Sequence, residues 1–310
     1  MGFPVFTSNL KRFAKIMAVR TGLLLALAAL HGCSTTSAAR LAYNQSPDLA
    51  YWLLDGYADF NGAQSLQVKA ALARLQDWHR QTQLPLYAQS LQSLQQLAPA
   101  DISADQACST AAEARTRLAA IMEQIEPAAA SVAATLQPAQ LDTLARKFAK
   151  TNAEWRGDFI DVSVQKVQTR RFKQARERAE LLYGSLNDAQ TEALKRAMTQ
   201  SVFNPALTYT ERQRRQQDTL QTLKTITAAA TTANAAEVSS TARASVHALA
   251  SRTVTSPNAA YRSYQEALTA EGCSVFSELH QLATPAQRRH AAQTLKRYED
   301  LMLSLAGQAG

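Results

Sequence analysis

QPAQLDTLARKFAKTNAEWRG, residues 137–157, has the form of one helix whose start is marked in the sequence. Gln137 stands at the cap and Pro138 at the first helical position, where its missing N–H breaks no bond. Gln140, three residues after the cap, can reach back to the cap's backbone N–H. Leu144, Phe148 and Trp155 follow at helical spacing, and Gly157 allows a bend or break. The same signature recurs in both directions along the chain, at Ser103-Ala-Asp-Gln106, Asn187-Asp-Ala-Gln190 and Thr284-Pro-Ala-Gln287, with Asn61 and Gln64 as a further capping-box-like start. Leu136, Leu186 and Leu282 precede three of these caps and provide a staple-like apolar contact. The helices that follow differ in length and sequence, so the recurrence is read as common cap chemistry rather than a duplicated unit.

Composition agrees with helix. Ala, Gln, Leu and Arg dominate, only seven glycines follow Cys33, and alternating runs of β-branched and aromatic residues are almost absent. The expected fold is all-α, a single multi-helix bundle-like domain. Tyr43–Phe60 is the most aromatic stretch: Ser46 caps a helix with Pro47 first, and Leu49, Trp52, Leu53 and Tyr57 fall at helical spacing. After Asn61, Leu66, Val68, Leu72, Leu75 and Trp78 are placed on one side, and Pro85 ends that helix or restarts another. Trp52, Tyr57 and Trp78 are expected to fill the core where helices cross, with an aromatic ligand pocket as the alternative. Further helices are expected over Ala104–Glu126, with Pro127 opening a short segment, and over Arg170–Tyr183, Asp188–Val202, a long stretch from Glu211, Tyr261–Leu279 and Pro285–Leu305. Ala228–Ser245 reads either as an Ala-rich helix or as a mobile connection.

The N-terminus has a different character. Lys11, Arg12, Lys15 and Arg20, with no acidic residue, precede an apolar run in TGLLLALAALHGCS, residues 21–34. The run is about ten residues, too short for the roughly 20 that span a bilayer, so it reads as an export signal. Leu30, His31 and Gly32 before Cys33 resemble the bacterial lipobox, which implies a lipoprotein signal peptide over 1–32, a lipidated Cys33 with a short tether to residue 42, and a helical periplasmic domain over 43–310. Ser34 after that cysteine resembles the pattern that implies passage to the outer membrane. Without residues 1–32 the chain has 29 Lys+Arg against 25 Asp+Glu, so its net charge is only +4. In an oxidising compartment Cys108 and Cys273 are expected to pair, the alternative being two buried free thiols.

No catalytic constellation stands out: GxSxG, Walker, GxGxxG, HExxH and CxxC motifs are missing from the sequence. His79, His247, His280 and His290 are scattered without the i, i+4 spacing of a helical zinc site, so no metal or cofactor is expected. Glu154 beside Trp155 is the carboxylate to examine as the acid of a cell-wall sugar hydrolase, though a lone helical Glu normally faces solvent. Arg170, Arg171, Lys173, Arg176 and Arg178 form a basic cluster that wraps around its helix. It is read as a salt-bridged face, with contact to an anionic surface as the functional alternative. An exported chain of modest charge is not expected to bind nucleic acid.

YNQSPDLAYWLLDGYADFNGAQ, LQDWHRQTQLPLYA, RKFAKTNAEWR, ERQRRQQDTLQTL and NAAYRSYQEAL with EGCSVFSELH resemble a family of uncharacterised proteobacterial lipoproteins carrying a domain of unknown function. The resemblance implies a lipid-modified Cys33 and a helical periplasmic body, and it implies no substrate. Leu136–Gln140 and Leu186–Gln190 also look somewhat like the repeated element of small periplasmic stress chaperones. The expectation is a non-enzymatic envelope lipoprotein held to the membrane by its N-terminal lipid, a module for an envelope-protein or cell-wall partner. A chaperone-like or lipid-binding protein and a cell-wall hydrolase are the alternatives.

Overall fold

A computed structural model describes residues 35–232 and 234–307. Cys33 and the segment expected to be its leader lie outside the described residues. In chain order the helices are α1 (Thr35–Asn44), α2 (Ser46–Ala58), α3 (Gly62–Trp78), a π-helical turn (His79–Gln83), α4 (Leu84–Leu97), α5 (Ala104–Ala133), α6 (Pro138–Phe159), α7 (Val164–Tyr183), α8 (Asp188–Gln200), α9 (Pro205–Thr232), α10 (Ala235–Val254), α11 (Ala259–Gln281) and α12 (Pro285–Ala306). The fold is all-α, as the composition predicts, and no strand occurs among the described residues. The described residues 35–46 belong to one unit and those from Pro47 onward to a second. In the first, the segment expected to be an aperiodic tether is helical from Thr35, because Ala38, Ala39, Leu41 and Ala42 are strong helix formers.

In the second unit the 30-residue α5 is the spine. α3, α9, α10 and α11 pack along it, α4 lies closely on α12, α12 on α7, α11 on α8, and α9 on α6. Cys108 of α5 and Cys273 of α11 form a disulfide across 165 residues of chain, so the late helices are bonded back to the first half. Pro127 lies inside α5 rather than opening a new segment. The flanking Ala130 and Ala133 pack with Ile226 and Ala242 into one buried cluster, and this packing holds the helix through the missing N–H. The Ala-rich stretch is helical on both sides of Asn234, which caps α10 in a capping box with Glu237.

All five expected Gln-bearing helix starts are formed, at Asn61, Ser103, Gln137, Asn187 and Thr284. Four of them do more than cap, because they join in pairs. The Gln140 amide donates to Gln64 Oε1 at 2.8 Å and to the Ala58 and Asp59 carbonyls at 3.0 and 2.9 Å, while Gln64 donates to Gln140 Oε1 at 3.2 Å and to Thr135 O at 2.8 Å. Gln287 donates likewise to Gln190 Oε1 and to Ser185 O, both at 2.8 Å, and Gln190 to Leu279 O at 3.1 Å. In each pair the third residue of one helix satisfies carbonyls of the loop that enters the other, so two distant helix ends are locked by the amides that start them.

The aromatic expectation is corrected. Trp52 is 45% exposed, no residue of α2 is buried, and Leu66 is 74% exposed, since it sits 200° around α3 from the buried Val68. The aromatic core forms elsewhere. Trp155, 7% exposed, stacks on Phe159 at 5.0 Å and Tyr209 at 5.5 Å, with Phe203 edge-on to Phe159.

Candidate functional site

The irregular point in the helical framework is the π-turn within DWHRQTQLP, residues 77–85. Pro85 has no N–H, and its ring would clash with the carbonyl four residues back in a regular helix. One extra residue in the turn lets the chain pass without breaking: the Leu84 N–H bonds to His79 O, five residues back, and the Thr82 hydroxyl donates to Trp78 O at 2.7 Å. The result is a nearly continuous run from α3 to α4, whereas Pro85 alone suggests an end or a restart.

His79, Gln83, Tyr87 and Ser90 follow one another at three- and four-residue spacing along this run. The imidazole of His79 meets the Tyr87 ring edge-on at 5.4 Å, and burial lowers its pKa, which keeps it neutral. Burial raises the Tyr87 phenol, partly offset by Arg117 of α5. Gln83 is buried; its amide N–H reaches Thr82 Oγ1 at 3.3 Å, and its Oε1 has no partner. Arg117 pairs with Glu113 at 3.3 Å, and Ser90 donates to the same carboxylate, but the buried Arg117 Nε is unsatisfied. A buried acceptor and a buried donor left open are unusual, since such groups are almost always paired. The π-turn and the adjoining face of α5 thus carry one acceptor and one donor whose hydrogen bonds the chain does not supply.

A second polar cluster ties α9 to the loop after α10. Glu211, 3% exposed, accepts from Arg214 at 2.8 and 2.9 Å, from Arg215 at 2.9 Å and from Ser256 at 3.1 Å. Burial pushes its carboxyl up, but the bonds from both arginines and Ser256 outweigh it and hold the pKa below the usual range. Arg252 grips Asp218 through two bonds of 2.8 and 2.9 Å, and these lower the Asp218 pKa against its burial. Arg262 donates to the Ser256 and Pro257 carbonyls. Each oxygen of Glu211 is satisfied, so this cluster works as a clamp on the Val254–Asn258 connection.

A third polar contact lies between α7 and α11. His280 is fully buried; its Nε2 lies 2.8 Å from Ala100 O and must carry the proton, leaving Nδ1 to accept from the Tyr183 hydroxyl at 2.9 Å. Burial lowers the pKa of His280 and raises that of Tyr183.

The basic cluster on α7 is largely engaged within the chain. Arg170 pairs with Asp158 and lies over Phe159, Arg171 pairs with Glu271 at 3.7 Å and lies over Phe203, Lys173 pairs with Glu177 and Arg176 with Glu180. Arg178 is exposed. Glu154 is exposed while Trp155 is buried in its stack, so the carboxyl does not sit in an apolar acid site. Among the described residues no group of three His, Cys, Asp or Glu is gathered as a metal site, and no helix is long and apolar enough to cross a membrane.

Residues 56–233 match the family of unknown function DUF6279. The chain belongs to this family. The matched segment holds the π-turn, the Gln64–Gln140 lock and Glu211 with its two arginines, and it ends between α9 and α10. Neither a curated protein nor a solved structure matches the chain. The π-turn was legible only as Pro85. The extra residue and the open amide of Gln83 depend on how α4 and α5 meet, which no local pattern encodes.

Proposed function

We propose that the chain is a lipid-anchored envelope lipoprotein of the proteobacterial type, cleaved before Cys33 and acylated there, whose helical body is a non-enzymatic binding module at the periplasmic face of the outer membrane. The observation that carries this reading is the Cys108–Cys273 disulfide, a bond characteristic of exported proteins, behind a basic and apolar leader that stops at a lone cysteine. The π-turn is its recognition point for an envelope protein or cell-wall polymer, because the Gln83 carbonyl within it and the Arg117 Nε of α5 carry hydrogen-bonding capacity that the chain itself leaves unmet. A photoreactive side chain at exposed Gln81 tests this in intact cells, with adducts identified by mass spectrometry. The expected result is an envelope adduct that weakens when Arg117 becomes Gln. An adduct pattern indifferent to Arg117, or none at all, would remove the π-turn as the contact point.

A further inference from the structure

We propose that the corner between α7 and α8, residues 183–187, is an acid-released latch: protonation of His280 frees it from the corner between α11 and α12 and uncovers an apolar patch. Hydrogen bonds hold the two corners together. The Tyr183 hydroxyl donates to His280 Nδ1 at 2.9 Å, Gln287 donates to Ser185 O at 2.8 Å, and Asn187 Nδ2 donates to Leu282 O at 3.0 Å. Of these, only the first includes a histidine, the side chain whose charge changes near neutral pH. Tyr183, Ala283 and Ala291 are buried at this junction with Leu182 and Leu186 packed against them, while Leu181 is 66% exposed. Opening the corner joins Leu182 and Leu186 to Leu181 as one exposed apolar surface.

The bonds at His280 admit only the neutral ring. His280 is 1% exposed and Tyr183 3%. With its Nε2 proton given to Ala100 O at 2.8 Å, the imidazole has one acceptor left, Nδ1, and the Tyr183 hydroxyl fills it. A second proton turns Nδ1 into a donor, so the Tyr183 O–H loses its acceptor in a nearly dry site and a charge is left in the interior. Burial opposes that charge most; the Ala100 carbonyl favours it, Arg288 of α12 opposes it, and the Asp101 carboxylate and Ala98 carbonyl favour it less. The neighbouring Phe276 and Tyr183 rings, 6.1 and 5.8 Å away, supply no counter-charge. Release falls on the α7–α8 side, because the other contacts of this α11 face survive protonation: Cys273 is bonded to Cys108, Ser277 Oγ donates to Ile102 O at 2.7 Å, and a charged ring strengthens its bond to Ala100 O. Gly184, at φ 73°, turns the chain directly after Tyr183 and supplies the hinge.

Hydrogen exchange of the full chain, read by mass spectrometry as protection factors corrected for the intrinsic rate at each pH, tests the latch. An imidazole that regains its ordinary pKa of about 6.5 on opening raises the ratio of open to closed corner by up to about 25-fold between pH 7 and pH 5. The expected result is a loss of protection of about fivefold or more in residues 181–187, with residues around the buried Ile226 unchanged. In His280→Gln, whose amide keeps a donor and an acceptor, the loss should fall below about twofold. His290 is the other histidine beside this corner, 3.8 Å from where a Gly184 Cβ would stand, and His290→Gln should keep the wild-type loss. Tyr183→Phe removes the bond that favours the neutral ring, so its loss of protection should begin at higher pH. Protection of residues 181–187 that is equal at the two pH values, that falls as far in His280→Gln as in the wild type, that ceases to fall in His290→Gln, or that falls alike in every helix overturns the latch. If His280→Gln does not fold, an unshifted pH dependence in Tyr183→Phe overturns it instead.

Discussion

Replacing Gln140 by Ala separates a cap from a lock. The substitution keeps a strong helix former at the third position of α6, so no helix propensity is lost. It removes three donated bonds, to Gln64, Ala58 and Asp59, and two accepted ones, from the Gln137 N–H at 2.9 Å and from Gln64. A net hydrogen bond contributes about 1 kcal/mol, and a buried partner left unpaired costs about 1–3 kcal/mol. Water can reach part of the Asp59 loop, so the expected loss is about 2–4 kcal/mol. Gln106 makes the same local box at the exposed start of α5, returning one bond to the Ser103 N–H at 2.8 Å, and Gln106→Ala is expected to cost only about 0.5–1 kcal/mol. Urea unfolding followed by circular dichroism, with the disulfide intact and equal slopes, measures both. A Gln64→Ala, Gln140→Ala double variant should cost clearly less than the sum of the singles, because the two amides share bonds. Equal costs at positions 106 and 140, or simple additivity of 64 and 140, would refute the idea that paired starts hold distant helices together.

Three other outcomes follow from the same contacts. Reduction, or Cys108→Ser with Cys273→Ser, opens a loop of 165 residues and should lower stability by about 5 kcal/mol on the chain-entropy model, read as a shift in urea midpoint. Arg214→Met strips two bonds from a buried carboxylate and should destabilise by about 3 kcal/mol, with Glu211→Gln in the same background recovering part of the loss in thermal unfolding. The buried His280 has a lowered pKa, so its contribution is fully present above the unfolded value of about 6.5 and is lost as pH falls through the folded value. Urea midpoints should therefore drop between pH 7 and pH 5, and His280→Gln should flatten that drop. Asp218 and Glu211 lose their contributions only in a lower window, below about pH 4.

The helix starts were readable because a cap is a matter of four consecutive residues. Asn61, Ser103, Gln137, Asn187 and Thr284 announce themselves, and each begins a helix. Which starts pair with which was hidden, since Gln64 meets Gln140 across 76 residues and Gln190 meets Gln287 across 97. Helical ends were less legible: α6 runs past Gly157 to Phe159, α7 begins at Val164 because Ser163 caps it, and α9 begins at Pro205, where Asn204 accepts from the Leu207 N–H. Aromatic content misled, because spacing places Trp52 and Trp155 equally well on a helix face and only the crossing of α6 with α9 decides which is covered. The Cys108–Cys273 bond was legible only through the expectation of export, with Cys33, the first of three cysteines, set apart by its resemblance to a lipobox.

The measurement nearest the central claim is the mass of the N-terminal peptide released from the protein purified out of cell membranes, compared with Cys33→Ser. The account predicts a peptide that begins at Cys33 and carries fatty acyl chains, and a Cys33→Ser protein that keeps its leader or leaves the membrane fraction without detergent. A wild-type peptide that begins elsewhere or carries no acyl mass would contradict it.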